Sequence, residues 1–391
     1  MLLNSNITEA NIRICSRCIY DERVSSIHFD EEGICNYCRQ VESLTKQYGS
    51  GQPEGEAQFS KILDDIKRSG KGKRYDCIVG VSGGTDSSYL IYMAKEWGLR
   101  PLAVHYDNTW NSAIATMNIH KVLSALDIDL FTHVVANKEA DDIYRAFFLA
   151  GVAELDASTD LGYGYLLRKI ASKYSIRFIL EGHSFIEEGI TPLGRNYFDG
   201  RYIESIHRQF GTRKLTTYPL MTFARFVRSA LFSQVKFIRP LWYLKYTKEN
   251  AKQFLTSHFD WKYYGGHHLE NRLAAFSHGV YLPQKFGADM RNNTLAACAR
   301  NGTISREQAW AEYNTPLVIE DELISYFKKR LALSDDHYDQ VMQSTPKKWT
   351  DYPTYKERFE LLRPFFFILA KANLVPMSFY LKYCFPSKAP Q

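Results

Sequence analysis

Apolar residues in the middle of this chain come in short runs separated by polar breaks and helix-period segments. Residues 77–81 (CIVGV), 101–106 (PLAVHY), 130–135 (LFTHVV) and 176–180 (IRFIL) each have the length of a strand covered on both faces. A helical pattern fills residues 112–126, and another over about 58–68 leads into the first run through a Gly-Lys-Gly-Lys-Arg turn at 70–74. Short apolar runs alternating with helices predict an α/β fold with a doubly wound, mostly parallel sheet. From residue 305 the pattern is helical throughout, and Ser305-Arg306-Glu307-Gln308 reads as a capping-box start. There is no internal repeat.

Ligands of such sheets bind beyond the carboxyl ends of the strands, and that rule selects residues. The first run breaks into Ser82-Gly83-Gly84-Thr85-Asp86-Ser87-Ser88 before a helix begins. Adjacent glycines let successive backbone N–H groups converge on an anion, and the helix N-terminus adds its partial positive charge. No lysine follows the glycines, so this is not the Walker loop. Asp86 is placed to hold a magnesium ion. The motif resembles the SGGxDS signature of the PP-loop ATP pyrophosphatases, which implies that Ser82, Gly83, Gly84, Thr85, Ser87 and Ser88 surround the pyrophosphate of ATP. The second strand ends at His105 and Asp107, which the resemblance puts near the adenosine. The fourth ends at Gly182 and His183, similar to a Gly-His that follows a later strand in that fold.

Four of the seven cysteines form two knuckles, Cys15-Ser-Arg-Cys18 and Cys35-Asn-Tyr-Cys38. That spacing places four thiolates around a structural zinc with no open position. The N-terminus lacks a basic region followed by an apolar stretch, so a cytoplasmic location is expected, where disulfides are rare. Cys77, in the first buried run, reads as a core residue. Residues 363–383 are apolar and aromatic but interrupted by Pro364, Lys371, Asn373 and Pro376, which favours packing helices and argues against a transmembrane span. The net charge of +6 falls short of a dedicated nucleic-acid binder. Many cations cluster in residues 189–248, a segment equally readable as an anion-recognising insertion or as a solvated or lipid-facing surface.

The combination narrows the choice. Paired cysteine knuckles ahead of SGGTDS, followed by RPLWYLKYTKEN, YYGGHHLENR, LPQKFGADMR and NGTISREQA, resemble the N-acetyl sugar amidotransferases of bacterial surface-polysaccharide (O-antigen, lipopolysaccharide) biosynthesis. The resemblance runs from about residue 14 to 309. It implies a zinc ribbon over 1–48, a linker and lead-in helix over 49–73, a PP-loop ATP-binding core over 74–190, a substrate-binding region over 191–300 and a helical region over 301–391. It also implies adenylylation of an acetamido oxygen on a nucleotide-activated N-acetyl sugar, followed by displacement of AMP by ammonia to give an acetamidino group. Lys285, Arg272 and Arg291 become candidates for α-phosphate or substrate charge, with Lys285 and Asp86 as the catalytic pair. Residue 2 is Leu where a self-contained glutaminase of the asparagine-synthetase type has cysteine, so a separate glutaminase partner, with a possible cyclase-like subunit, is expected. Two other readings compete. A tRNA thiolase of the same superfamily would need reactive cysteines in the core. A non-enzymatic RNA-binding protein would need aromatic and basic residues interleaved in the ribbon, where Arg13, Arg17 and Arg23 are instead offset by acids.

Overall fold

The computed structural model describes residues 12–385 apart from 191, 193–195, 233–234, 267–268, 317, 373 and 376. His267, in the YYGGHHLENR motif, lies outside the described residues.

Five strands form one parallel sheet in the order β3-β2-β1-β4-β5. They are β1 (Cys77–Gly80), β2 (Pro101–Asp107), β3 (Leu130–Val134), β4 (Phe178–Leu180) and β5 (Lys236–Ile238). The chain winds outward from β1 through β2 to β3, then returns to the other side of β1 for β4 and β5. The order therefore reverses between β1 and β4, which opens a crevice at their carboxyl ends. The first four strands fall on the apolar runs. β5 lies in the basic segment, beyond the core expected to end at 190, and is three residues of which Lys236 is exposed.

Helices α1 (Asn36–Tyr48) and α2 (Pro53–Gly70) precede the sheet; α3 (Thr85–Glu96), α4 (Ala113–Leu126), α5 (Asn137–Ala150) and α6 (Ala157–Lys173) alternate with its strands. Then come α7 (Gly200–Phe210), α8 (Phe223–Phe232) and α9 (Lys248–Phe259). After them lie α10 (Arg272–Phe276), α11 (Leu282–Phe286), α12 (Arg291–Asn301), α13 (Arg306–Asn314), α14 (Leu323–Arg330) and α15 (Asp335–Gln343). The tail is α16 (Lys356–Leu361), α17 (Arg363–Lys371) and α18 (Met377–Tyr383). One face of the sheet packs on α2, α3, α4 and α9 through Ile66, Leu90, Ile119 and Leu255; the other packs on α6 through Leu166, Leu167 and Ile170. A second core, built on α5, joins Phe147 and Phe148 to Tyr202 of α7, Phe276 of α10, Phe327 of α14 and Tyr338 of α15. The same α5 anchors part of the basic segment: Glu139 accepts from the backbone N–H groups of Thr216, Thr217 and Tyr218, and Asp142 from those of Thr212 and Arg213.

The knuckles form a compact knot at the N-terminus. It packs on α12 and α13 through Ala296 and Ala309, while Arg306 donates to the carbonyls of Cys15 and Cys18. Cys35 caps α1 by accepting from the N–H of Cys38. The stretch expected to be a linker is short and docked: Gly49 ends α1 in the left-handed region, Gly51 N–H reaches the Tyr243 carbonyl, and α2 already starts at Pro53. Ser305 caps α13 as expected, its hydroxyl accepting from Gln308 N–H. Among the described residues no helix is long and apolar enough to cross a membrane.

Candidate active site

The crevice is a cleft of about 650 Å³, and Ser82, Gly84, Asp86 and Ser87 form its floor. The loop is held open by sequence. Gly83 sits at φ +82°, and a Cβ there would come within 2.2 Å of the Ala115 carbonyl oxygen of α4. Gly83 also accepts at its carbonyl from Trp261 Nε1 at 3.1 Å, so it is the buried back of the loop. Thr85 and Ser88 are likewise buried. Gly84 caps α3 without any side-chain cap, which leaves the first-turn N–H groups facing the cleft as an anion site. Ser87 Oγ contacts Ser82 N–H at 3.2 Å and the Gly84 carbonyl at 3.3 Å, long bonds that a ligand can replace.

Asp86 is not an isolated carboxylate. Lys248, at the start of α9, places Nζ 2.9 Å from Asp86 Oδ2 and 3.4 Å from Glu188 Oε1, and Tyr246 OH donates to Asp86 Oδ1. Burial works against the Lys248 charge, but Asp86 and then Glu188 outweigh it and hold its pKa well above the ordinary lysine value. The Lys248 backbone N–H in turn donates to Glu187 at 2.9 Å. Sequence reasoning counted Lys248 and Arg239 only as members of a cationic segment. The signal that singles them out is position, since both lie inside the RPLWYLKYTKEN motif that follows β5.

Gly182 lies against the loop, its position such that a Cβ would meet the Asp86 backbone at 3.0 Å. His183 lines the cleft beside Arg239, which pairs with Glu181 at 2.9 Å and lies over the Trp242 ring. Desolvation, then Arg239, pushes the His183 pKa down to about 4, and its Nδ1 accepts from Trp242 Nε1. His105 borders the cleft, but both ring nitrogens are engaged: Nδ1–H donates to the Val81 carbonyl at 2.8 Å and Nε2 accepts from Asn111 at 3.1 Å. It is a buried, neutral strut between β1 and β2 that orients Asn111. Asp107 does not line the cleft; it accepts from Thr109 N–H at 2.7 Å and shapes the turn after β2.

The three distal cations are not brought to the loop. Lys285 is buried with Nζ on the Ser344 carbonyl at 2.7 Å and on the Val341 carbonyl, closing the C-terminal end of α15. Arg291 is spent on Asp289 and on the carbonyls of Glu312, Tyr313 and Thr315. Arg272 pairs with Glu320 at 2.9 Å over the Tyr326 ring. None lines the cleft, so the catalytic and substrate roles expected for them are corrected: each satisfies local carbonyls or a carboxylate. What the distal motifs contribute instead is a wall made of Glu270, Asn271, Ala274, His278, Met290 and Asn293. Asn271 bridges it to the β2 end, donating to Asn108 at 2.8 Å and Asn111 at 3.0 Å.

The four knuckle cysteines are buried and unbonded, with their Sγ atoms all within 4.8 Å of one another and two pairs at 3.8 Å. A tetrahedral centre with metal–sulfur bonds of about 2.3 Å has sulfur–sulfur edges of about 3.8 Å. Backbone N–H groups of Arg17, Tyr20, Cys35 and Cys38 point at the sulfurs, and Arg300 Nε approaches Cys38 Sγ at 3.2 Å. Such donors suit thiolate charge. Cys77 is fully buried in β1 and its thiol is pushed up by burial.

Among curated proteins, an uncharacterized protein of Methanocaldococcus jannaschii is 24% identical over 314 residues, 78% of this chain and 94% of that protein. Among solved structures, the NMN synthetase of Francisella tularensis superposes with a TM-score of 0.34 at 11% identity, over 71% of this chain and 93% of that one. The U34-tRNA thiolase of Methanococcus maripaludis, with its [4Fe-4S] cluster, gives 0.31 at 14% identity, over 83% and 99%. The NH3-dependent NAD synthetase of Campylobacter jejuni gives 0.31 at 11%, over 74% and 96%. Residues 270–364, which include the distal wall of the cleft, match the family described as LPS biosynthesis protein WbpG-like, C-terminal domain, and this part of the chain is therefore similar to proteins of lipopolysaccharide biosynthesis, as the sequence motifs had indicated.

Proposed function

We propose that this protein is an ATP-dependent, AMP- and pyrophosphate-forming amidotransferase that converts an acetamido group of a nucleotide-activated N-acetyl sugar to an acetamidino group in surface-polysaccharide biosynthesis. One observation carries the reading: a single cleft has the SGGTDS loop as its floor and the WbpG-like segment as its wall. A phosphate-sized anion site thus faces the part of the chain whose relatives belong to lipopolysaccharide biosynthesis.

The chemistry needs activation, because amide oxygen is a poor leaving group. The acetamido oxygen attacks the α-phosphorus of ATP and pyrophosphate leaves; ammonia then adds at the amide carbon and AMP departs with the oxygen. No protein nucleophile is required, so catalysis rests on positioning and on neutralising phosphate charge. Ser82, Gly84, Ser87 and the α3 N-terminus would hold the departing pyrophosphate, with Lys248 and Arg239 as the cations in reach. Magnesium arriving with the triphosphate needs only one or two carboxylates, and Asp86 offers one, in competition with Lys248. The cysteine geometry fits zinc in a closed, structural site. Ammonia would come from a separate glutaminase.

The test is mass spectrometry of nucleotide-linked acetamido sugars incubated with protein, ATP, magnesium and ammonium, with pyrophosphate followed in parallel. One sugar exchanging O for NH, with AMP and pyrophosphate formed alongside, is the expected result. An unchanged panel together with tRNA-stimulated pyrophosphate release would overturn it in favour of a thiolase, although Cys77, sealed in β1, offers that chemistry no exposed sulfur.

A further inference from the structure

Ten of the fifteen large apolar side chains exposed among the described residues belong to α8 or to residues 361–385. Phe232 is 78% exposed, Leu361 80%, Ile368 65% and Leu381 50%. The tail does pack, as the sequence predicts: Phe359, Phe366 and Leu369 form a small core with Phe223, Phe226 and Ala230 of α8. That core uses only one side of each helix. The outer side of α17 presents Phe367 and Ile368 between Arg363 and Lys371 at its two ends. The outer side of α8 presents Arg225, Arg228, Leu231 and Phe232, one helical stripe of two cations and two hydrophobes.

The same arginines line a second open groove of about 740 Å³, at the end of the sheet opposite the cleft. It is bordered by Lys73, Arg168, Lys169, Arg177, Arg225 and Arg228, with no carboxylate among its lining residues, and Phe232 stands at its edge. Burial holds the Arg168 guanidinium below its ordinary range, and it stacks on Phe237 at 4.7 Å.

We propose that α8 and the basic groove it lines seat the protein on an anionic lipid bilayer, phospholipid headgroups entering the groove and Leu231 and Phe232 entering the acyl boundary. Charge complementarity argues for that occupant, since six cations and no carboxylate line the groove, which matches a surface of phosphates. Shape argues for it as well. Leu231 and Phe232 protrude from α8, which hydrocarbon accepts without a complementary partner, whereas protein interfaces seat such anchors in pockets. Arg225 and Arg228 can bury their stems while keeping their charges at the headgroups. Since no helix among the described residues is long and apolar enough to cross a membrane, the proposed association is with the membrane surface, and it leaves the cleft at the opposite end of the sheet open.

The experiment is co-sedimentation of the full chain with vesicles of phosphatidylcholine alone and of phosphatidylcholine mixed with phosphatidylglycerol, at low and high salt. Binding only to the mixed vesicles, weakened by salt, is expected. Arg225→Glu with Arg228→Glu, and separately Leu231→Ser with Phe232→Ser, should each lower partition about tenfold while leaving the thermal midpoint and pyrophosphate release in solution unchanged. No binding to mixed vesicles, or binding indifferent to both pairs, overturns the proposal. So does a lipid-free dimer, seen by analytical ultracentrifugation, that Leu231→Ser with Phe232→Ser dissociates while vesicles capture nothing: the face would then join two copies of the chain.

Discussion

Lys248 is the residue on which the cleft's charge balance turns. It sits between Asp86 and Glu188 with its side chain largely buried, so its loss removes the cation that faces both carboxylates. Lys248→Met is expected to cost about 3 kcal/mol of stability and to slow pyrophosphate release roughly 100-fold, measured by thermal unfolding and a phosphate-coupled assay. A variant releasing pyrophosphate at the parent rate would remove Lys248 from the machinery. A second residue-level expectation concerns Glu154, buried beneath α7 with Tyr202 OH at 3.0 Å. Burial pushes its pKa up to about 7, while the unfolded chain ionises near the ordinary value of 4.5. Between those values the unfolded state binds fewer protons, so the stability contribution falls as pH rises through the window and is gone above it. The difference amounts to at most about 3 kcal/mol. Glu154→Gln should therefore flatten the decline in melting temperature between pH 5 and pH 8; parallel curves for the two proteins would show that Glu154 does not titrate there.

Among elements, the loop between β1 and α3 depends on one backbone conformation. Gly83→Ala forces a Cβ onto the Ala115 carbonyl at positive φ and should destabilise the protein by more than about 1 kcal/mol. Gly84, at φ −74° and facing only side-chain ends, the Tyr264 hydroxyl at 3.1 Å, Ser82 Oγ at 3.2 Å and Glu270 Oε1 at 3.5 Å, should tolerate alanine in the fold while losing ATP affinity. Comparing unfolding midpoints and nucleotide titrations of the two variants separates these roles, and equal midpoints would refute the first. This loop and four strands were legible in the sequence because short apolar runs, and the glycine pair after the first of them, are local signals. β5 was not: Lys236–Ile238 is short, half-polar and recruited by β4 from a distance, so only the assembled sheet identifies it as a strand. The distal cations misled for a related reason. Lys285 and Arg291 stand in Gly-broken, mixed-charge motifs, which look like ligand loops, yet helix-end carbonyls consume their donors. The wall that does reach the cleft is carried by neighbours of lower chemical profile, such as Asn271 and Asn293.

At the scale of the molecule, the cysteine knot is tied to the cleft. Tyr20 OH donates to Asn293 Oδ1 at 2.8 Å, and Asn293 lines the wall, so removing a metal held by the four cysteines should loosen α12 as well as the N-terminus. Stripping the protein with a strong chelator is expected to lower the melting temperature and to raise the Michaelis constant for the proposed sugar substrate, with zinc readdition restoring both; a stripped protein with unchanged midpoint would uncouple the knot from the fold. The separation in sequence has a further consequence during synthesis. The knuckles leave the ribosome well before their seat: Arg306, which grips the Cys15 carbonyl, follows 291 residues later. At roughly 5–20 residues per second, the knot waits on the order of tens of seconds for it. Throughout that interval the four cysteines stand with one apolar side open, uncovered until α12 and α13 arrive.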